Sequence, residues 1–478
     1  MKPGRFGISL IAFATALSGC GGGGGGGGGG APPVAVTPTP PSPPPTAVCS
    51  TLDRQNFANA QIRENYLFPE TLPATLDPSG FTTVQAFIDG LTATARGQRR
   101  DRFFTFVTSI AEENAFLASG ATAGFGIRIA TDATVGTVTI LEAFEGAPAL
   151  TAGIDRGARI LAIGDTPSNL RAVSAIIASE GSAGVTTALG PSTPGTTRTL
   201  RIQDAGGTRD LTVTKANFDI PPVSPRYGAL IINDGGRRVG YLNLRTFITA
   251  ADNQLRTAFA DFRAQGITEF VIDFRYNGGG LVSTAELLND LLGGARRTSD
   301  IQSFITFRPE KASNNETVRF QPRAQSVSPV KIAFIATGST ASASEEVINA
   351  QIPYFGANLA LIGANTFGKP VGQIAIDRAT CDDRLRIVAF SVQNSQSAGF
   401  YYDGLARNVQ ASCQAADSPT RPLGDPQEAS LRSALDFLAG RSCTTIASGG
   451  QTSLAAGGSR PLIPALPTAA QRDMPGLF

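Results

Sequence analysis

Three short runs constrain this chain more than anything else in it: "EFVIDFR" (269–275), "VKIAFIA" (330–336) and "LALIGA" (359–364). Each carries a continuous apolar stretch (270–272, 332–336 and 359–362), with none of the alternation that marks a strand with one wet face. Strands of this kind are buried on both sides, which requires helices above and below a mostly parallel sheet. The helices are at hand. "ADNQLRTAFADFRAQG" (251–266) follows the run "RRVGYLNLRTF", "LVSTAELLNDLLGG" follows the loop "YNGGG", and "ASEEVINAQI" follows a serine-rich turn. Residues 217–445 therefore read as an α/β layer with a site at the strand ends.

The rest of the chain has a different texture. Residues 49–117 hold segments such as "DRQNFANAQIRENYL" and "VQAFIDGLTATARG", with apolar positions at three- and four-residue steps. They predict a small helical domain. Residues 118–216 change to short strands, "GFGIRIAT", "GTVTILEAF", "ARILAIGD", "TRTLRIQ" and "RDLTVTKA". At 478 residues, several domains are expected. Residues 446–478, rich in Gly, Ala and Pro, read as a loosely held, low-complexity tail.

The N-terminus reads as an address. "MKPGRFGISLIAFATALSGC" has Lys2 and Arg5, an apolar core and the ending "LSGC", the layout of an export signal over residues 1–19. The ending resembles a bacterial lipobox, which implies lipidation at Cys20. Gly21 stands where a residue retaining the protein at the inner membrane would be acidic, so the resemblance implies a cell-envelope location at the outer membrane, facing the periplasm. Residues 20–48 form a glycine- and proline-rich tether. Its glycine part reaches about 15–20 Å and its proline part about 55 Å. Four cysteines remain, Cys49, Cys381, Cys413 and Cys443. In an exported chain they suggest two disulfides; of the three connectivities, Cys381–Cys413 with Cys49–Cys443 is favoured.

The chemistry is bounded by an absence: the chain contains no histidine. Ser-His-Asp and Cys-His catalysis, and histidine-ligated zinc, are excluded. A net charge of +2 without a basic tract argues against a nucleic-acid partner. The turn "GSTASASEE" (338–346) nevertheless sets Ser339, Ser342 and Ser344 between a strand and a helix, where a nucleophile would stand. A serine hydroxyl needs a neighbour to take its proton, and a buried neutral lysine can do so. Only five lysines occur, and Lys369, in "NTFGKPVGQ" directly after an apolar run, fits best. Lys331 forms an apparent S-x-x-K with Ser328, but Pro329 lies between them where that motif needs a helical turn.

Taken in order, "DFRYNGGG", "GSTASASEE" and "TFGKPVGQ" resemble the carboxy-terminal processing, or tail-specific, proteases of the S41 serine peptidases. The resemblance covers roughly residues 50–443. It implies a multidomain α+β protein: a small N-terminal helical domain, a PDZ-like β domain and a crotonase/ClpP-like α/β peptidase core. It makes Ser342 the nucleophile, Lys369 the base and Gln373 the group that orients the lysine. The amides of Gly279 and Ala343 would form the oxyanion hole. The run "GAPALTAGIDRGARILAIGDTP" (146–167) resembles the PDZ modules of exported proteases, where Gly124, Phe125, Gly126 and Ile127 would present amides to a peptide carboxylate. Implied partners are protein or peptide substrates and, through the lipid, a membrane; no cofactor or metal is implied. Three departures stand out. Ser342 and Lys369 lie 27 residues apart, slightly more than in the commonest members. Pro370 replaces the usual glycine after the lysine, and Gly278 stands where proline is common. The rival reading from another class is a peptide-binding, scaffolding lipoprotein with little or no turnover.

Overall fold

The three apolar runs lie side by side in a six-stranded sheet. Its order is Ala229–Asp234, Arg237–Asn243, Glu269–Asp273, Lys331–Ala336, Leu359–Gly363 and Ala411–Gln414. The first pair is antiparallel and the others are parallel. Side chains alternate between faces, so each run feeds two cores. Phe270, Ile272, Ile332, Phe334 and Leu361 face the helices Thr249–Ala264, Val282–Leu292 and Ala343–Phe355. Val271, Ala333, Ile335, Ala360 and Ile362 face the helix Ala429–Leu438. Both faces are covered, which is why the runs carry no polar alternation.

The structure is a computed structural model, and it describes residues 48–447 and 459–478. The export signal, Cys20 and nearly all of the Gly/Pro tether lie outside the described residues. Among those described, no helix is long and apolar enough to cross a membrane.

Residues 49–117 supply the helices Thr51–Asn65, Val84–Leu91, Ala93–Gly97 and Ile110–Ser119, and also a strand, Phe106–Ser109. Their apolar faces meet a second, five-stranded sheet. Ile62, Phe87, Ile88 and Leu91 share one core with Val371, Leu385, Ile387 and Val388. The strand Phe106–Ser109 pairs with Asp383–Gln393 of the same sheet. These helices thus close over the hairpin Val371–Gln393, whose first strand begins two residues after Lys369.

A β module holds the strands Ile127–Asp132, Thr137–Ala143, Arg159–Gly164, Thr197–Asp204 and Gly207–Thr214, with the helix Val173–Leu189 against them. The expectation of a loosely held tail is corrected here. Strand Ser459–Pro461 pairs antiparallel with Ala130–Asp132, and Met474, Leu477 and Phe478 are buried. The segment hid because its apolar residues are scattered among Pro and Gly, with neither helical nor strand period.

The favoured disulfide connectivity is also corrected. Cys49 pairs with Cys381 and Cys413 with Cys443. The reason is placement. The Arg54 guanidinium donates to Asp383 (2.7 Å) and Arg378 to Asp53 (2.5 Å), which lays the start of the first helix on the hairpin turn that carries Cys381. Cys443 follows the helix Ala429–Leu438 back to the sheet edge, where the Gln414 N–H donates to Thr444 O (2.7 Å). A non-reduced digest of protein from an oxidising compartment should yield peptides joined 49–381 and 413–443. Recovery of a 381–413 peptide would contradict this packing.

Candidate active site

Strand Lys331–Ala336 ends inside the sheet, and the chain must reverse before the helix Ala343–Phe355. Thr340 manages the reversal: its Oγ1 donates to Phe274 O (2.9 Å) and accepts from Thr337 N–H (3.0 Å). Ser342 then takes φ 56° and ψ −118°. Left-handed backbone in a non-glycine residue costs roughly 1–3 kcal/mol and is held only by its surroundings. Strand–turn–helix strain of this kind lifts a serine hydroxyl clear of the sheet. Ser342 is partly exposed. Ser344 is fully buried and its Oγ donates to Asn277 O (3.2 Å), so it braces the turn. Ser339 borders the same cavity as Ser342.

Lys369 arrives on the loop after strand Leu359–Gly363. Its Nζ donates to Gln373 Oε1 (2.9 Å) and stands 4.8 Å from the centre of the Phe104 ring. Gln373 is itself aimed, since its Nε2 donates to Phe104 O. Burial pushes the Lys369 amine down to about 8, against the opposing pull of Asp473 and Asp101. Arg102 secures the loop from the other side. Its Nη2 donates to Phe367 O (2.8 Å) and Gly368 O (2.5 Å), and its guanidinium lies 4.0 Å from the Phe367 ring centre.

One carboxylate ties the two loops together. The buried Glu345 accepts from Ser342 N–H (3.0 Å) and Lys369 N–H (2.7 Å) on Oε2, and from Gly368 N–H (2.7 Å) on Oε1. Burial pushes its carboxyl up; a hydrogen bond from Thr366 and these three amides oppose the rise. In the sequence Glu345 only marked the motif, and its bridging role was not legible there.

The glycine loop approaches from the neighbouring strand. A Cβ at Gly279 would lie 2.7 Å from Ser342 Cβ, so only glycine fits. The amides of this loop, among them the Gly279 expected in the oxyanion pair, point in different directions. The Gly279 N–H is turned toward Asn277 Oδ1 (2.9 Å) within its own loop. The Gly278 N–H instead donates to the main-chain oxygen of Asp473 (2.8 Å). Asn277 was not singled out in the sequence, yet its Nδ2 bond to Leu244 O (2.8 Å) anchors the loop. Ala343 opens the helix and is buried.

Ser342, Lys369, Gln373 and Gly278 border one cavity of about 660 Å³, which Phe104, Phe106, Arg472 and Asp473 also line. The residues expected to hold a peptide terminus lie apart from it in the β module. There the N–H groups of Gly126 (2.9 Å) and Ile127 (3.1 Å) both donate to the main-chain oxygen of Phe478. Gly124 lies within a Cβ's reach of the same residue, and Phe125 is buried in the module's apolar core.

Comparison with known proteins supplies a family match and a shared fold. Residues 238–397 match the model of peptidase family S41. A carboxyl-terminal-processing protease of Picosynechococcus is 26% identical over 252 residues, 52% of this chain and 55% of that protein. The carboxy-terminal processing protease CtpA of Bacillus subtilis is 24% identical over 327 residues, 68% of this chain and 62% of that one. The chain spans about half the length of the first curated relatives it matches. A crystal structure from Bacteroides fragilis, described as a candidate S41 protease, shares the fold with a TM-score of 0.63 and 24% identity. It covers 80% of this chain and 97% of that one.

Removing the bridging carboxylate has a calculable cost. Glu345→Ala strips the partner from three main-chain N–H groups, each worth about 1–3 kcal/mol when left unpaired in the interior. The variant should lose about 3 kcal/mol or more in urea unfolding, whereas Ser339→Ala should stay within about 0.5 kcal/mol of the parent.

Proposed function

We propose that this chain, whose residues 238–397 match the model of peptidase family S41, is a serine endopeptidase of the carboxyl-terminal-processing kind, with Ser342 as nucleophile and Lys369 as base. The observation that carries the reading is Glu345, which holds the backbones of both residues on one carboxylate at the edge of one cavity. In this reading Ser342 Oγ bonds to the substrate carbonyl carbon and its proton passes to the neutral Lys369 amine. The resulting ammonium returns that proton to the leaving amine as the peptide bond breaks. Water then attacks the acyl ester, with Lys369 again accepting a proton. Gln373 fixes the direction of the amine throughout. The oxyanion would be met by the Ala343 N–H and an amide of the glycine loop, at Gly278 in the arrangement described above.

Two further parts belong to the proposal. The β module serves as a PDZ-type receptor for exposed protein C-termini, supported by the paired amides of Gly126 and Ile127 on a single oxygen. The chain is held at the cell envelope, on exported substrates, by lipid on Cys20. Cys20→Ala should move it from the membrane pellet to the soluble fraction; a variant that stays in the pellet refutes the anchor.

A serine-directed fluorophosphonate tests the centre. It should label the wild type and Ser344→Ala but not Ser342→Ala, and Lys369→Ala should lower turnover by about 10³-fold or more. Labelling of Ser342→Ala at the wild-type rate would move the nucleophile elsewhere.

The pH profile follows from the lysine. A base works only when neutral, so turnover should be low in acid, rise through a midpoint near 8 and level off above it. No histidine contributes, and the other group of this cavity that titrates in the range is Asp473, pushed up to about 6 by burial, so the step near 8 is the one to compare between variants. A profile unchanged in Lys369→Ala would refute the assignment of the base.

A further inference from the structure

The segment 459–478 reaches both halves of the site just described. At one end it completes the β module. Phe478 exchanges bonds with strand Ile127–Asp132: its N–H donates to Ile127 O (2.8 Å) and its oxygen accepts from Gly126 and Ile127. Gly476 O accepts from Ile129 N–H (2.8 Å), and Leu477 lies opposite Arg128 in antiparallel register. Side chains alternate as in a strand. Phe478 enters the module's core with Phe125 and Ile127, while Leu477 enters a separate cluster with Phe144, Ala147 and Phe218. Both are 2% exposed.

Further up, the same segment crosses the catalytic cleft. Asp473 sets its main-chain oxygen on the Gly278 N–H, one residue from the glycine that touches the Ser342 turn. Arg472 lies 3.8 Å from the centre of the Phe106 ring, and Ile463 and Pro464 line the cavity. The short helix Ala469–Asp473 thus ends with its last carbonyl on a loop amide beside the serine, a turn at Met474–Gly476 follows, and Leu477 and Phe478 pair with the edge strand, so that one segment occupies cleft and groove together.

We infer that residues 459–478 are a built-in occupant of this groove and cleft, and that the polypeptides that displace it place two large apolar residues where it places Leu477 and Phe478. The inference rests on the peptide-receptor reading of the β module. A substrate must displace the segment, so the resting chain is closed. The groove's chemistry explains the specificity: main-chain pairing supplies affinity without regard to sequence, and the two buried apolar side chains select.

The test uses the full chain and a fluorescein-labelled peptide of sequence MPGLF, copied from residues 474–478. In a Ser342→Ala background, which removes turnover, the peptide's anisotropy is titrated with and without Phe478→Asp. The inference expects at least tenfold tighter binding when Phe478 is replaced. With Ser342 intact, Phe478→Asp should raise turnover of an unstructured reporter at least threefold. Equal affinity for the peptide in both backgrounds, with unchanged circular dichroism, would overturn it. Hydrogen exchange on the unmodified chain guards against a variant that misfolds. The amides of Gly126, Ile127, Ile129 and Phe478 should be protected together, and fast exchange at these four positions would also overturn the inference. A tenfold binding difference without turnover in any variant would uphold the occupant and count against the catalytic reading alone.

Discussion

Two loops from different strand ends, 27 residues apart in sequence, meet on a single side chain. Glu345 holds the main-chain N–H groups of Ser342 and Lys369 on one oxygen and that of Gly368 on the other. Because the bonds go to backbone, the carboxylate sets where each residue's Cα stands and leaves both side chains free. The strained φ of Ser342 is sustained by the same contact. Such strain persists only where neighbours over-determine it, and here they do so from three sides: Thr340 beneath, Asn277 alongside and Glu345 in front. Remove the buried anion and neither loop has a reason to keep its shape.

The glycine loop depends on a second buried set of charges. Arg275 spans Asp273 and Glu428, donating to both Glu428 oxygens (2.9 and 2.8 Å), and pins the sheet end from which the loop departs. Arg128, on the module's edge strand, donates to Tyr276 O (2.5 Å) in the loop itself and faces Glu142, which Arg245 and Tyr227 also contact. Charges so far from water are stable only when every partner is present. The edge strand that receives Phe478 and the loop that faces Ser342 are therefore two arms of one network, with Arg128 as the link.

What could be read from the sequence was whatever depends on local pattern. The unbroken apolar runs announced a sheet covered on both faces, and they form its adjacent strands. The glycine loop, the serine turn and the lysine loop were legible because close backbone approach and a strand-to-helix reversal demand small residues at fixed places. What depends on distant partners was not legible. The disulfides follow from where Arg54 and Arg378 lay the first helix, which no spacing encodes. Asn277 captures the Gly279 amide through its side chain, so the loop's glycines could be recognised while the direction of their amides could not. The closing segment shows neither period 2 nor 3.6. Its order comes from an edge strand more than three hundred residues away that lacks a partner until Phe478 and Pro461 arrive.

The Cys49–Cys381 bond sits directly before the helix Thr51–Asn65 and crosses to the turn of the hairpin that packs behind Lys369. Its consequence is mechanical. A pull on residue 49 is shared between the helix Thr51–Asn65 and the hairpin turn at Cys381, so the helix end cannot unwind on its own.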